Sequence, residues 1–226
     1  MRILFYGDSI TDMHHDQSVD GAIYSYGSGY PFVVMSKLSE RNPNEFFVIN
    51  RGIGGNRITD LYSRIKRDVW NLKPDVLSIL VGVNDVWHEL EPAWRNGVDI
   101  DRFDRMYRML LDDTMKVIPD TKIMLCEPFI LHGKTTDLMI EGFSRVFDYA
   151  KVVRQIAKDY NLPFVELQKP LSEAAEKYGP EPYLYDGVHP MVAGATLIAN
   201  EWIKVFDKEI LKKWIKHYQT LNKFKE

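Results

Sequence analysis

A serine hydroxyl becomes a nucleophile when a neighbouring base takes its proton and a third group holds that base. Ser9, His189 and Asp186 have the side chains for this work. Ser9 directly follows Gly7-Asp8 at the end of an apolar run, so its hydroxyl falls in a tight turn near a helix start. Asp186 precedes His189 by three residues, close enough to reach the far imidazole nitrogen within one turn and fix the tautomer. Pro190 then sets the chain direction. Acyl transfer also builds negative charge on a carbonyl oxygen, which needs donors placed in advance. The candidates are Ser9 N–H, Gly55 N–H and the side-chain amide of Asn84. Glycine at 55 lets the backbone approach a substrate without a Cβ in the way.

Each of these features also has a plain structural use. Gly-Asp-Ser is a common turn, and Asn84-Asp85 suits a helix cap. The segment Asn50 to Asn56 fits a tight β–α turn or a phosphate cradle, although it lacks the Lys-Ser/Thr of a P-loop and the full dinucleotide spacing. Asp186 and His189 could form a merely local hydrogen bond. Their order along the chain favours a shared site, because each block follows a stretch that reads as a strand or opens a helix.

The strands expected from apolar, β-rich runs are Ile3–Tyr6, Phe46–Ile49, Val76–Val81, Lys122–Cys126 and Phe164–Leu167. Helical periodicity covers Phe32–Arg41, Thr59–Leu72, Asp101–Val117 and Glu141–Tyr160, with another helix opening near Pro190, since proline suits a first helical turn. Short apolar strands alternating with helices specify an α/β fold with a parallel sheet covered on both faces. Ligands in such folds bind beyond the carboxyl ends of the strands. Gly7-Asp8-Ser9, the Asn50–Asn56 loop and Gly82-Val83-Asn84-Asp85 each follow one of these strands, so the loops can converge on one crevice.

The whole chain agrees with this picture. Its 226 residues suit a single domain spanning 1–226, and 45% hydrophobic with 27% charged residues is a globular composition. With 29 Lys+Arg against 32 Asp+Glu, the formal charge of −3 argues against nucleic-acid binding through phosphate neutralisation. The longest apolar stretch, Val76 to Val83, is too short to cross a bilayer. One cysteine excludes an internal disulfide framework and a Cys-rich zinc site. No secretory signal precedes the first strand, so a cytoplasmic setting is expected.

Taken together, Ser9 in Gly-Asp-Ser-Ile, Gly55 in Asn-x-Gly-x-Gly-Gly, Asn84 in Gly-x-Asn-Asp and His189 in Asp-x-x-His-Pro resemble the four blocks of the SGNH hydrolases, or GDSL esterases. The resemblance runs from the first strand to about residue 206. It implies a flavodoxin-like three-layer α/β/α sandwich and ester hydrolysis without metal or other cofactor. It also implies Ser9 as nucleophile in a triad with Asp186 and His189, and an oxyanion hole of Ser9, Gly55 and Asn84. Ile10 departs from the usual leucine of the first block, which affects packing only.

A narrower resemblance is carried by Phe5 to Asp12, Gly29-Tyr30, Asn84-Asp85-Val86-Trp87 and Glu127-Pro128-Phe129. These segments are similar to those of intracellular bacterial acetylxylan esterases, which remove acetyl groups from short xylo-oligosaccharides. That likeness implies a small acetylated carbohydrate as partner, and an assembly of several subunits. Tyr185 stands where that group is expected to carry tryptophan, and a deacetylase for another sugar would share the same motifs. Asp8, Tyr30, Trp87, Phe129 and Tyr185 are the expected substrate contacts, within an aromatic set that also includes Trp94 and Tyr183. The competing readings are a lipase or thioesterase for longer acyl chains, and a non-catalytic glycan-binding protein.

Other residues attract attention without fitting a site. Asp8, Asp12, His14, His15 and Asp16 look like metal ligands, yet their spacing matches no zinc signature, so no metal is expected and Asp8 and Asp12 are read as braces for the nucleophile turn. Cys126, inside an apolar strand, reads as a buried structural thiol. Glu127, at a strand end, suits either substrate or a loop cap. His88, His132 and His217 lack triad partners in sequence. From Trp202 to Glu226, Ile203, Phe206, Ile210, Trp214, Tyr218 and Leu221 form an apolar helical stripe. Packing back on the domain is its expected use, with a subunit contact or a membrane surface as alternatives.

Overall fold

A computed structural model describes residues 1–212 of the chain. The order of elements is β1 (Arg2–Gly7), α1 (Ser9–Asp12), α2 (Tyr30–Arg41), β2 (Phe47–Gly52), α3 (Ile58–Ile65), β3 (Val76–Leu80), α4 (Val83–Leu90), α5 (Ile100–Val117), β4 (Lys122–Cys126), α6 (Ile140–Phe143), α7 (Val146–Asp159), β5 (Phe164–Val165), α8 (Gln168–Tyr178) and α9 (Val192–Phe206). The pairings within the sheet are parallel and its strand order is β2-β1-β3-β4-β5.

Residues Phe5 and Tyr6 explain the layers. Successive strand side chains point to opposite faces. Phe5 packs on Tyr30 of α2 and Trp202 of α9, with ring centroids 5.3 and 5.1 Å away. Tyr6, on the other face, donates its hydroxyl to the Leu61 carbonyl of α3 and lies under the Arg64 guanidinium. Helices α2 and α9 pack together, as do α3 with α5 and α5 with α7. This is the three-layer α/β/α architecture. Every residue of β3 is buried, as a strand covered on both faces requires.

Several boundaries differ from the sequence expectation for identifiable reasons. The helix expected over Thr59–Leu72 is α helical to Ile65 and continues as a π-helical turn over Lys66–Trp70. The one expected over Glu141–Tyr160 is divided into α6 and α7. Gly142 sits against the Leu90 side chain, where a Cβ would lie 2.4 Å from a methyl carbon. The fifth strand ends at Val165, because the backbone N–H groups of Leu167 and Gln168 turn to the Glu127 carboxylate at 2.8 and 2.9 Å. Glu127 is therefore a loop cap, further held by Arg154 at 3.0 Å.

Pro190 does not open the last helix. It pairs with Leu184 in an isolated antiparallel bridge, and α9 starts at Val192. Helices α4 and α8 are additional to those expected from the sequence. Within the C-terminal stripe, Trp202, Ile203, Phe206 and Ile210 are buried on the domain, and Trp202 Nε1 donates to Ser78 Oγ at 2.9 Å. Trp214, Tyr218 and Leu221 lie outside the described residues. Among the described residues no helix is long and apolar enough to cross a membrane.

Candidate active site

In a 2-1-3-4-5 sheet the strand order reverses between β1 and β3, opening a crevice at their carboxyl ends. Ser9 begins α1 immediately after β1, and Asn84 lies in the first turn of α4, just beyond β3. The loop after β2 carries Gly55. The loop before α9 carries Asp186 and brings His189, 180 residues from Ser9 along the chain, to the same place.

His189 Nε2 lies 2.8 Å from Ser9 Oγ, and His189 Nδ1 lies 2.7 Å from Asp186 Oδ2. The other oxygen, Asp186 Oδ1, accepts the backbone N–H groups of Val188 and His189 at 2.9 and 2.8 Å. Burial alone would raise the Asp186 carboxyl, but these bonds outweigh it and hold the group below the usual carboxylate range. Burial likewise favours neutral His189. The Asp186 hydrogen bond and charge, with a contribution from Asp8, overcome that and raise the imidazole above its ordinary value. Such a chain can accept the serine proton and stabilise the resulting imidazolium.

The loop that carries Asp186 and His189 is tightly braced. Gly187 has φ +95°, and a Cβ there would fall 2.1 Å from Thr136 Oγ1. Leu131 N–H donates to Gly187 O at 2.9 Å, while Thr135 and Thr136 N–H donate to Asp186 O. Only glycine fits between that backbone and the residues it rests on.

The expected oxyanion donors are Ser9 N–H at the start of α1, Gly55 N–H in the loop after β2 and the Asn84 amide in α4. Ser9 N–H opens a helix and has no acceptor among the described residues, and the same holds for Gly55 N–H. Gly55 has φ +80°, a conformation suited to glycine. Asn84 Nδ2 donates one hydrogen to the Asn56 carbonyl at 3.2 Å, which orients the amide and leaves its second hydrogen for a ligand. These free donors are the groups expected for an oxyanion hole.

The supporting residues were not legible in the sequence. Asn50 donates to Thr11 O at 2.7 Å and Tyr26 O at 2.9 Å, while its Oδ1 accepts Gly52 N–H, tying the Ser9 turn to the loop after β2. Arg64 donates to Gly7 O, Arg51 O, Asn56 Oδ1 and Asp68 Oδ2 at 2.7–3.0 Å, joining the same two loops from below. Its only sequence signal is a basic residue on an amphipathic helix. Asp85 does cap a helix, but α3 rather than its own, by accepting Ile58 N–H at 3.0 Å. Burial pushes Asp85 up to about 8 and Asp8 up to about 6.

Three expected substrate contacts are corrected. Tyr30 and Phe129 have no exposed surface, and Tyr30 is committed to Phe5 and to Thr11 Oγ1 at 3.1 Å. Both rings fill the core. Asp8 is buried and caps α1 through Ile10 N–H at 2.9 Å. Tyr185 and Trp87 remain beside the site, with ring centroids 5.9 and 6.1 Å from that of His189. Tyr185 is 43% exposed and has the Lys134 ammonium 4.8 Å over its ring. In the acidic-His patch, His15 Nδ1 pairs with Asp12 at 2.6 Å and Asp16 caps Ser18. Cys126 is buried, its thiol pushed up to about 12 by burial.

Comparison with known proteins agrees with this architecture. Residues 5–197 match the model of the GDSL-like lipase/acylhydrolase family. The chain is 34% identical over 219 residues to an acetylxylan esterase of Geobacillus stearothermophilus, covering 95% of this chain and 96% of that one. The crystal structure of an acetylxylan esterase from that organism superposes with a TM-score of 0.82 at 31% identity, over 92% of this chain and 94% of the other. A GDSL-like protein from Parabacteroides merdae gives a TM-score of 0.83 at 34% identity, over 90% and 94% of the two chains. The extent of these matches means that the chain belongs to the GDSL-like lipase/acylhydrolase family and is a carboxylic ester hydrolase.

Proposed function

We propose that this enzyme removes O-acetyl groups from sugars, with short xylo-oligosaccharides as substrate, through an acetyl-serine intermediate. The observation that carries the reading is the hydrogen-bonded chain Ser9–His189–Asp186 with the Tyr185 and Trp87 rings beside the imidazole. Aromatic faces next to a base suit the apolar face of a sugar, while acetyl needs only a small pocket. The Geobacillus relatives include a protein described as an acetyl-xylooligosaccharide esterase, which supports the same substrate class.

Chemically, His189 Nε2 takes the Ser9 proton as Oγ bonds to the acetyl carbonyl carbon. The carbonyl π electrons move to oxygen, where Ser9 N–H, Gly55 N–H and Asn84 receive the negative charge. Collapse breaks the bond to the sugar oxygen, which takes the proton from His189 and leaves as a free hydroxyl. Water then repeats the sequence on acetyl-Ser9: His189 takes its proton, acetate departs, and the proton returns to Ser9 Oγ. Asp186 holds the imidazole throughout. The reading includes a cytoplasmic setting, in which the enzyme meets short oligosaccharides after uptake.

The test is acetate release from acetylated xylo-oligosaccharides by the native enzyme and by Ser9→Ala. Release that disappears in the variant supports both nucleophile and substrate class. If the native enzyme releases no acetate there but cleaves other acetylated sugars or longer acyl esters in a Ser9-dependent way, the xylan assignment falls.

A further inference from the structure

Helix α4 offers the crevice more than Asn84. Residues at i, i+3 and i+4 share a helix face, so Asn84, Trp87 and His88 project on the same side. Trp87 approaches His189. His88 turns instead toward the loop after β2. The Cε1–Nε2 edge of its ring lies 3.9 Å from where a Cβ on Gly55 would be, the nearest atoms to that open position. Neither ring nitrogen of His88 has a hydrogen-bond partner among the described residues. Its ring is backed by Trp94, with centroids 4.7 Å apart and planes at 57°. Burial and the nearby Arg57 charge hold His88 below the ordinary histidine range, so the ring is neutral at neutral pH.

The tetrahedral centre of the proposed reaction assigns these walls different tasks. Its oxyanion points to Ser9, Gly55 and Asn84. The leaving oxygen must approach His189 Nε2 to receive a proton, which places the sugar on the side of Tyr185 and Trp87. The remaining substituent, the acyl group, is directed away from His189. We propose that His88, held in place by Trp94, is the wall that limits the acyl group to acetyl. This inference rests on the esterase reading above. It adds a specificity-determining residue that takes no part in the triad.

A pocket wall discriminates one methylene by about 10- to 200-fold in kcat/KM. The experiment compares kcat/KM for p-nitrophenyl acetate, propionate and butyrate in the native enzyme, His88→Ala, His88→Phe and Trp94→Ala. His88→Ala should shift the butyrate-to-acetate ratio toward butyrate by about tenfold or more, the lower end of that range. His88→Phe, which keeps a ring in place, should restore the native ratio, and Trp94→Ala should shift it in the same direction as His88→Ala but less. A ratio unchanged in His88→Ala overturns the proposal, as does an equal shift in Ala and Phe variants. Absence of Ser9-dependent hydrolysis of every ester in the native enzyme is a different result, which overturns the catalytic reading itself.

Discussion

Asp186 grips His189 at two points: one carboxylate oxygen lies 2.7 Å from the ring Nδ1, and the other accepts the same residue's backbone N–H at 2.8 Å. The imidazole is thus fixed in both position and tautomer by a residue one turn away, and its free nitrogen meets Ser9. Asp186→Asn preserves the shape but offers an amide where a carboxylate stabilised the imidazolium. Turnover should fall by about 10⁴, as for the corresponding change in other Ser-His-Asp enzymes. Steady-state kinetics on an acetyl ester checks this, and a loss of less than tenfold would remove Asp186 from the triad.

The same contact sets a pH dependence. In the proposed reaction His189 serves as base only when neutral, and its folded-state value is raised above the ordinary histidine range. The acid limb of kcat/KM should therefore have its midpoint above about 6.5, the usual histidine value. In Asp186→Asn the bond and charge that raise the group are lost while burial remains, so the midpoint should move to lower pH. NMR titration of the His189 Cε1–H resonance in both proteins reads this directly, and identical midpoints would contradict the assigned cause.

Asn84 should act on the transition state more than on binding. One amide hydrogen is engaged by Asn56 O, and Asn84→Ala removes the one left for the oxyanion. The expected loss is about 10²–10³ in kcat with little change in KM. An unchanged kcat would take Asn84 out of the oxyanion hole.

Asp85 carries a stability prediction. It is buried, its Oδ2 has no hydrogen-bond partner, and burial with the Asp8 charge raises it to about 8. A carboxyl raised in the folded state favours folding most when protonated, below its unfolded value near 3.9. That contribution is lost as pH rises through about 8. Asp85→Asn cannot ionise but can still accept Ile58 N–H, so its stability should not fall over this range. Relative to the native protein its Tm should rise between pH 5 and pH 9, by about 2–4 °C for each kcal/mol of relieved strain. Calorimetry at the two pH values checks it; a Tm difference that does not grow with pH would be the contrary result.

Gly187→Ala should damage the loop behind the triad. The positive φ and the approach of Thr136 Oγ1 leave no room for a Cβ. Destabilisation of at least about 1–3 kcal/mol is expected from the strain. Ester hydrolysis should drop with it, because Asp186 moves with its neighbour. Denaturant unfolding together with activity at 25 °C tests both parts, and a variant with native stability and rate would show that the loop tolerates the change.

Much of the site was readable because its key relationships are short in sequence. The Asp186–His189 spacing places both groups within one turn, Ser9 follows directly on a strand end, and glycine at 55 answers to backbone geometry that other residues resist. Apolar runs separated by helical periodicity were likewise enough to specify a parallel α/β sheet. These are local properties, dictated by neighbours along the chain. Facing direction is not local. Tyr30 and Phe129 stand close to motif residues in sequence, yet the packing of α2 and of the loop after β4 turns both rings into the core. His88 and Arg64 gain their places only because α3 and α4 lie beside the Gly-rich loop. The closure of Ser9 on His189 across 180 residues depends on the β1/β3 switch point and on the braced loop before α9. The sequence by itself determined which groups could do chemistry, and only tertiary packing decided which of them share one crevice, because contacts between distant segments arise from burying whole faces of helices and sheet at once.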